Sequence, residues 1–258
     1  MTSGDAALRF SGRVDDYTRY RPGYPPEVLD LLARACGLDS TSVVADIGSG
    51  TGKLSQLFLS LGCTVYGVEP NPEMRREAER LFTGNPLFVS VDGRAEATGL
   101  ADGSADISVA GQAFHWFDPD KARMEFSRIL RGDGFAALAW NWRRGQEAPF
   151  NRAWEEFLVA FSIDYGEVAD RNSMAPEVLA GFFDGGCYER TAFANPCRLG
   201  RESLRGLYRS CSYALAAGHA RFDEAMRRLD EVFDAHARDG TVEIVYETAV
   251  YLGKVRGP

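Results

Sequence analysis

The chain has 258 residues, of which 45% are hydrophobic and 26% charged, and its formal net charge is −8 at pH 7. These values are typical of one soluble α/β domain, and the acidic balance argues against a general affinity for nucleic acids or anionic membranes, which need basic faces. The five cysteines form no C-x-x-C pair, so we expect reduced thiols and neither a metal site nor a disulfide framework. No signal-like apolar core and no run of about 18 apolar residues is present, which predicts a cytoplasmic protein without a membrane segment.

Short apolar runs alternate with amphipathic stretches between residues 25 and 142. This alternation predicts a mostly parallel sheet with helices on both faces. Residues 1–24 are polar with interspersed aromatic side chains and are predicted to form an N-terminal lid. The predicted order is helix 27–36, strand 43–46, helix 53–61, strand 64–69, helix 72–81, strand 87–92, strand 105–110, helix 118–130, turn 131–134 and strand 135–140.

The pattern changes after Trp142, where helical, aromatic stretches dominate. Residues 143–220 are predicted to form a small helical cap over the substrate within a single domain that spans residues 1–258. The last strand is expected to close the sheet in antiparallel orientation as its seventh member. The predicted elements are helices 150–162, 175–183, 203–217 and 220–238, and strands 188–193 and 241–252.

The stretch DIGSGTGK at 46–53 places three glycines within five residues after a predicted strand, which is typical of a nucleotide or nucleotide-like cofactor. An NTPase phosphate loop is excluded because Leu54 stands where Ser or Thr must bind magnesium. An NAD loop is disfavoured because Lys53 replaces the third glycine and Asp46 would repel a pyrophosphate. S-adenosylmethionine (SAM) fits better, since Asp46 suits its ammonium group. Glu69, at the end of the next strand, suits ribose hydroxyls in either cofactor.

Four stretches together resemble the class I SAM-dependent methyltransferase family, in particular its ubiquinone-biosynthesis-type and trans-aconitate-type branch. They are VADIGSGTGKL, VYGVEPNPEMRREAE, GRAEATGLADGSADISVAGQAFHWF and EFSRILRGDGFAALAWN. The resemblance is strong over about residues 10–142. It implies SAM as cofactor and a Rossmann-like sheet of seven strands, mostly parallel, with a reversed last strand.

The resemblance also assigns residues to the cofactor site. The N-terminal segment is similar to one that folds over the cofactor, which makes Tyr17 and Tyr20 candidates for closing the site and Arg21 a candidate for binding a carboxylate. Many relatives have aspartate where this chain has Arg94, and arginine cannot accept a hydrogen bond from adenine, so Glu96 or the backbone is the alternative. The predicted cofactor-binding residues are Tyr20, Arg21, Asp46, Gly48, Ser49, Gly50, Thr51, Gly52, Glu69, Pro70, Asn71, Met74, Arg94, Ala95, Glu96, Gln112 and Ala113.

The stretch GQAFHWFD at 111–118 follows the fourth predicted strand, where ligands of open α/β sheets bind. His115 is the titratable candidate for a general base, and the alternative is a structural histidine within an aromatic cluster. Arginines of the cap favour an acidic acceptor. The predicted acceptor-site residues are Tyr17, Phe114, His115, Trp116, Trp140, Trp142, Arg144 and Tyr213.

The sequence therefore predicts methyl transfer from SAM to a small organic acceptor, either a carboxylic acid or a secondary metabolite. Oxygen, nitrogen and carbon all stay open as the methylated atom. The alternatives are a protein that binds SAM without methyl transfer and an NAD(P)-dependent oxidoreductase. We expect a monomer or homodimer whose partner is a small-molecule substrate, with no nucleic acid, membrane or metal.

Overall fold

A computed structural model describes residues 12–144, 148–166 and 175–255. Parts of the predicted lid and cap, at 1–11, 145–147 and 167–174, lie outside the described residues. Among the described residues, no helix combines the length and the apolar character that crossing a bilayer requires.

One seven-stranded sheet forms the centre of the molecule, in the order β3-β2-β1-β4-β5-β9-β6. The five strands from β3 to β5 pair in parallel, whereas β9 lies antiparallel between β5 and β6. The predicted Rossmann-like sheet with a reversed last strand is therefore confirmed. Its strands are β1 (Val43–Ile47), β2 (Thr64–Val68), β3 (Phe88–Val91), β4 (Ala105–Gly111), β5 (Leu130–Arg143), β6 (Glu189–Ala194) and β9 (Tyr246–Lys254).

The helices begin and end where the local sequence provides caps. The side chain of Asn71 accepts hydrogen bonds from the first turn of one helix and Asp118 does the same for another, each with proline next in the chain. The helices are α1 (Val14–Tyr20), α2 (Glu27–Cys36), α3 (Ser55–Leu61), α4 (Pro72–Leu81), α5 (Pro119–Ile129), α6 (Pro149–Ala160), α7 (Pro176–Phe182), α8 (Arg201–Arg209) and α9 (Phe222–His236).

The helix predicted over 203–217 is too long, since α8 ends at Arg209. The guanidinium of Arg13 donates to the carbonyl oxygens of Arg209, Cys211 and Ala214, each at 2.8 Å. A continuing helix would need the carbonyls of Arg209 and Cys211 for its own hydrogen bonds. The contact with Arg13 therefore fixes the irregular chain after α8 and ties the N-terminal segment to it.

The strand predicted over 241–252 is divided at Val245 into β8 (Val242–Ile244) and β9. The amide side chain of Asn151 accepts from the N–H of Val245 at 3.1 Å and donates to its carbonyl at 3.1 Å. The Val245 carbonyl also accepts from the backbone amide of Arg144 at 2.9 Å, so only the N–H of Val245 depends on Asn151 alone. β8 pairs instead with β7 (Cys197–Leu199) in a separate two-stranded sheet.

The turn predicted at 131–134 is part of β5. Ala105 pairs with Leu130 and Ile107 pairs with Phe135, so one residue of β4 faces four of β5. This irregularity is a bulge rather than a chain reversal.

Candidate functional site

A cleft lies at the carboxyl ends of β1, β2 and β4, where the strand order reverses beside β1 and ligands of such sheets bind. Its walls come mainly from the loops that follow these strands. We call it the glycine-loop cleft. Its lining residues are Tyr17, Tyr24, Asp46, Gly48, Ser49, Gly50, Lys53, Leu54, Glu69, Pro70, Asn71, Met74, Arg94, Ala95, Glu96, Gly111, Gln112, Ala113, Trp116 and Phe117.

The glycine loop is held against the sheet by its own backbone. The amides of Gly48 and Ser49 both donate to the carbonyl oxygen of Val68, at 2.8 and 3.1 Å. Gly48 has φ +70°, and a Cβ at this position would lie 2.7 Å from the Cβ of Ala113. Glycine is therefore required both by the left-handed backbone and by the close approach of the two loops.

Asp46 presents an unsatisfied carboxylate oxygen in this cleft. The side chain is fully buried, and its Oδ2 accepts from the hydroxyl of Ser55 at 2.6 Å. Its Oδ1 has no hydrogen-bond partner among the described residues. Burial raises the pKa of Asp46 to about 7. A cationic ligand group such as an ammonium ion would satisfy the free oxygen and stabilise the ionised form.

Glu69 is fixed by the backbone of its neighbours. Its Oε2 accepts from the amide of Gly50 at 2.9 Å and its Oε1 accepts from the amide of Asn71 at 2.8 Å. Burial raises the pKa of this carboxyl. Each carboxylate oxygen has a second acceptor site, so an oriented Glu69 can also accept from two vicinal hydroxyls.

The far end of the cleft combines apolar and tethered polar residues. Met74 and Ala95 are each only 4% exposed and provide apolar surface. The carboxylate of Glu96 accepts from the amide of Asp118 at 2.9 Å, which fixes its position in the wall. This end therefore suits a flat, mostly apolar ring such as adenine.

A second cavity adjoins the glycine-loop cleft and shares five wall residues with it: Tyr17, Tyr24, Lys53, Gln112 and Trp116. We call it the arginine–aromatic cavity. Its other lining residues are Arg21, Pro22, His115, Asn141, Trp142, Arg143, Arg144, Asn151, Glu155, Tyr165, Ser212, Tyr213 and Tyr246.

Gln112 in the shared wall has an unusual backbone, with φ +54°. Its amide N–H donates to the carbonyl of Ala139 at 2.9 Å, and its side-chain Nε2 donates to the carbonyl of Asn141 at 3.3 Å. A left-handed conformation at a residue other than glycine costs roughly 1–2 kcal/mol. Such strain at the junction of two cavities is typical of a functional site.

Most of the residues predicted from sequence line one of these two cavities, and the others pack behind the lining residues. Arg21 lines the arginine–aromatic cavity rather than the cleft, and Tyr20 packs against Gly206 of α8. The residues that line neither cavity are Tyr20, Thr51, Gly52, Phe114 and Trp140.

The supporting residues form the floor beneath the site. Phe114 and Trp140 are each 1% exposed and contact each other edge to face, with ring centroids 6.4 Å apart. Thr51 is buried, and Gly52 packs against the ring of Phe82. These residues therefore pack behind the lining of the two cavities, and a contact of Thr51 or Gly52 with the cofactor stays a prediction.

His115 lies in a single 3₁₀ turn, Phe114–Trp116, and lines the arginine–aromatic cavity. Its ring centroid is 4.9 Å from that of Trp116, which lines both cavities. This places an imidazole on the acceptor side of the shared wall. Its role as a base stays a prediction.

Sequence reasoning missed several lining residues. Asn141 lies near the end of β5, and the rule that ligands bind at carboxyl ends of strands was a usable signal for it, whereas Arg143 was predicted only as one of the arginines of the cap. Lys53 was interpreted only as a missing glycine, yet it lines both cavities. Glu155 and Tyr246 carry no local signal because tertiary packing alone brings them to the cavity.

Comparisons with known proteins place the chain among methyltransferases. A family model described as a methyltransferase domain matches residues 45–138. An uncharacterized methyltransferase of Mycobacterium tuberculosis is 40% identical over 139 residues, which are 54% of this chain and 54% of that relative. Another, of a Geobacillus strain, is 32% identical over 156 residues, covering 57% of this chain and 72% of the relative. The chain spans about half the length of the curated relatives that it matches first.

Solved structures share the fold at low sequence identity. A putative type II methyltransferase from Anaeromyxobacter dehalogenans has a TM-score of 0.63 at 19% identity, covering 93% of this chain and all of the other. The [4+2]-cyclase SpnF has a TM-score of 0.55 at 14% identity, covering 100% of this chain and 98% of the other. The second likeness illustrates that one fold can host more than one reaction.

Proposed function

The chain belongs to the class I SAM-dependent methyltransferase family, and from that premise we propose that it transfers a methyl group from SAM to a small organic acceptor. The observation that carries this proposal is the shared wall between two cavities of different character. The glycine-loop cleft contains the buried acids Asp46 and Glu69, and the neighbouring cavity contains arginines and aromatic rings.

The glycine-loop cleft has groups that match the ammonium, ribose and adenine parts of SAM. Asp46 would bind the ammonium group through its unsatisfied Oδ1. Glu69 would accept from the ribose hydroxyls, which are charge-assisted hydrogen bonds. Met74 and Ala95 would contact the adenine ring. When bound, SAM supplies a methyl group that is already activated by its sulfonium.

The task of the protein is then to align the acceptor with that methyl group and to exclude water. Trp116, Tyr17 and Tyr24 line both cavities and supply the apolar surface of the junction. A carboxylate acceptor needs no base, whereas a protonated hydroxyl or amine would lose its proton to His115 in this proposal. Chemistry of this kind requires no catalytic dyad.

The test is calorimetric titration with S-adenosylhomocysteine, the product form of the cofactor. We expect Glu69→Gln to weaken binding by roughly 10- to 100-fold, since hydrogen bonds to charged groups contribute about 1.5–3 kcal/mol. Glu231→Gln is the control, because Glu231 is 64% exposed on α9 and lines neither cavity. Equal affinity in Glu69→Gln and wild type, or stabilisation by NAD instead of S-adenosylhomocysteine, would contradict the proposed cofactor site.

A separate assay addresses the transfer step. The chain is incubated with methyl-labelled SAM and a panel of hydroxy, amino and carboxylic acids. Formation of S-adenosylhomocysteine together with a labelled acceptor supports methyl transfer. Tight cofactor binding without any product would favour the alternative of a SAM-binding protein that does not transfer methyl groups.

A further inference from the structure

We infer that the acceptor carries an oxyanion group that binds between Arg21 and Arg143, and that a different atom of the acceptor receives the methyl group. The inference rests on the proposed function because it names the substrate class of the same site. It follows from three features of the arginine–aromatic cavity: its charge, its unsatisfied donors and the position of both arginines relative to the shared wall.

The cavity has an excess of positive charge. Its lining contains four cationic side chains and one carboxylate, that of Glu155. Arg21 and Lys53 form no salt bridge within the described parts of the chain. Arg144 contacts Glu247 at 3.3 Å, but that carboxylate also binds Arg190 at 2.7 Å. The field in the cavity therefore favours a negatively charged ligand.

Two of the arginines have donors without acceptors. The Nε atoms of Arg21 and Arg143 are buried and make no hydrogen bond within the described residues. The Nη2 of Arg21 donates to the carbonyl of Ser210 at 3.2 Å, and the Nη2 of Arg143 contacts Tyr165 and Glu155. A buried donor left unsatisfied is costly, and a carboxylate or phosphate oxygen satisfies the Nε edge of a guanidinium well.

The two arginines line the same cavity wall as two phenols. Tyr213 and Tyr246 are 6% and 5% exposed, and both line the arginine–aromatic cavity together with Arg21 and Arg143. Arg21 comes from the segment after α1 and Arg143 from the end of β5, so two distant elements converge here. This convergence defines one anion-binding position rather than scattered surface charges.

That position lies away from the glycine-loop cleft. Neither arginine lines the cleft, and neither do Tyr213 or Tyr246, whereas Gln112 and Trp116 line both cavities. An acceptor with its oxyanion between the arginines therefore points another part of the molecule toward the shared wall. The anchored group keeps its charge, and the methyl group goes to a separate nucleophilic atom, from which any proton is released.

The test uses small oxyanions as probes on the full chain saturated with S-adenosylhomocysteine. Thermal shifts and calorimetric titrations are measured with acetate, inorganic phosphate and neutral acetamide, at an ionic strength held constant with potassium chloride. We expect acetate or phosphate, but not acetamide, to raise the melting temperature. The stronger of the two ions identifies the carboxylate or the phosphate as the source of the oxyanion.

Variants of Arg21 and Arg143 test whether the ions bind between these two arginines. Arg21→Gln and Arg143→Gln are expected to weaken the apparent affinity for the preferred ion at least tenfold. Arg198→Gln, in which the replaced side chain is 77% exposed and paired with Glu243, should bind as wild type does. Arg21→Lys keeps the positive charge but removes the Nε donor. The affinity of this variant for S-adenosylhomocysteine shows whether the fold is intact. Its affinity for the preferred ion shows the effect of the lost donor.

Several results would overturn the inference. They are stabilisation by acetamide as strong as by acetate, no stabilisation by either ion, or equal ion affinity in wild type and both glutamine variants. Failure of S-adenosylhomocysteine to bind, with oxyanion binding retained, would contradict the proposed cofactor site and leave the anion site standing. In active protein, a product methylated only on the anchored oxyanion would also contradict the inference.

Discussion

The glycine-loop cleft and the arginine–aromatic cavity are neighbours of opposite character. The cleft contains the buried acids Asp46 and Glu69 and is built largely from loops that follow consecutive strands of one sheet. The cavity is predominantly cationic, and its walls combine side chains from α1 and the segment after it, the loop after β4, the end of β5, α6 and the start of β9. The cleft is therefore built from loops that neighbour one another along one sheet, whereas the cavity depends on how distant segments of the chain pack together.

The two regions also differ in what holds their charged groups. Backbone amides fix Glu69, and the hydroxyl of Ser55 fixes Asp46. The arginines depend instead on single carbonyl contacts and on other side chains, as Arg21 does on Ser210. Changes in the cleft should therefore leave anion binding in the cavity intact.

The largest expected effect is the loss of stability caused by substitutions in the glycine loop. Gly48→Ala and Gly50→Ala both place a side chain on left-handed backbone, with φ +70° and +57°, which costs roughly 1–2 kcal/mol. Only at Gly48 would the new Cβ also meet another residue, Ala113, which adds an overpacking cost of about 1–3 kcal/mol. Chemical denaturation should show Gly48→Ala to be the less stable variant by at least 1 kcal/mol.

Gly48→Ala also tests whether the two regions bind their ligands independently. Gly48→Ala should lose S-adenosylhomocysteine binding, because its loop is displaced, and retain acetate or phosphate binding in the cavity. Equal stabilities for the Gly48 and Gly50 variants would show that close packing on Ala113 does not constrain the loop. Joint loss of both ligands would show that the two regions act as one unit.

A smaller but distinctive effect is expected from Asp46→Asn. The pKa of Asp46 is raised by burial from an ordinary 3.8 to about 7, so the folded chain binds this proton more tightly than the unfolded chain. The contribution of Asp46 to the free energy of unfolding therefore falls as pH rises from about 4 to 7, by about 1.4 kcal/mol per pH unit. Asp46→Asn should remove that slope and stabilise the ligand-free chain at pH 8.

Cofactor binding should respond in the opposite direction. An ammonium ion pairs with the ionised form of Asp46, so the affinity of the wild type for S-adenosylhomocysteine should fall by up to tenfold per pH unit below pH 7. Asp46→Asn should bind roughly 10- to 100-fold more weakly at pH 8, with oxyanion binding retained. A wild-type affinity that is independent of pH between 5 and 8 would refute this role of Asp46.

The difference in how the regions are built explains what the sequence predicts. In the cleft, Asp46 lies near the end of β1 and Glu69 directly follows β2; local apolar runs identify both strands, and parallel strands place their ends side by side. The sheet and its reversed last strand were predictable for the same reason. Local patterns failed where tertiary contacts decide the structure, as at Val245, whose N–H is bound by the side chain of Asn151.

The cavity was less predictable because its residues depend on how remote segments pack. Arg21 was assigned to the cofactor, but it follows α1, and α1 is positioned by the ion pair of Asp16 with Arg209 at 2.8 Å. Tyr246 is the first residue of β9, directly after the interruption of the strand at Val245, and it lines the cavity. Spacing within the sequence predicts neither position, because each depends on contacts between segments that are far apart along the chain.

The smallest expected effect lies in the shared wall, where Gln112 adopts φ +54°. Gln112→Gly and Gln112→Ala both remove the side-chain contact with Asn141, but only glycine relieves the left-handed strain. Denaturation should therefore show the glycine variant to be more stable than the alanine variant by about 1 kcal/mol. Both variants should bind S-adenosylhomocysteine and the preferred oxyanion a few-fold more weakly, because this side chain lines both regions. Equal stability of the two variants would mean that the wall carries no strain, and weakening of one ligand alone would assign Gln112 to one region.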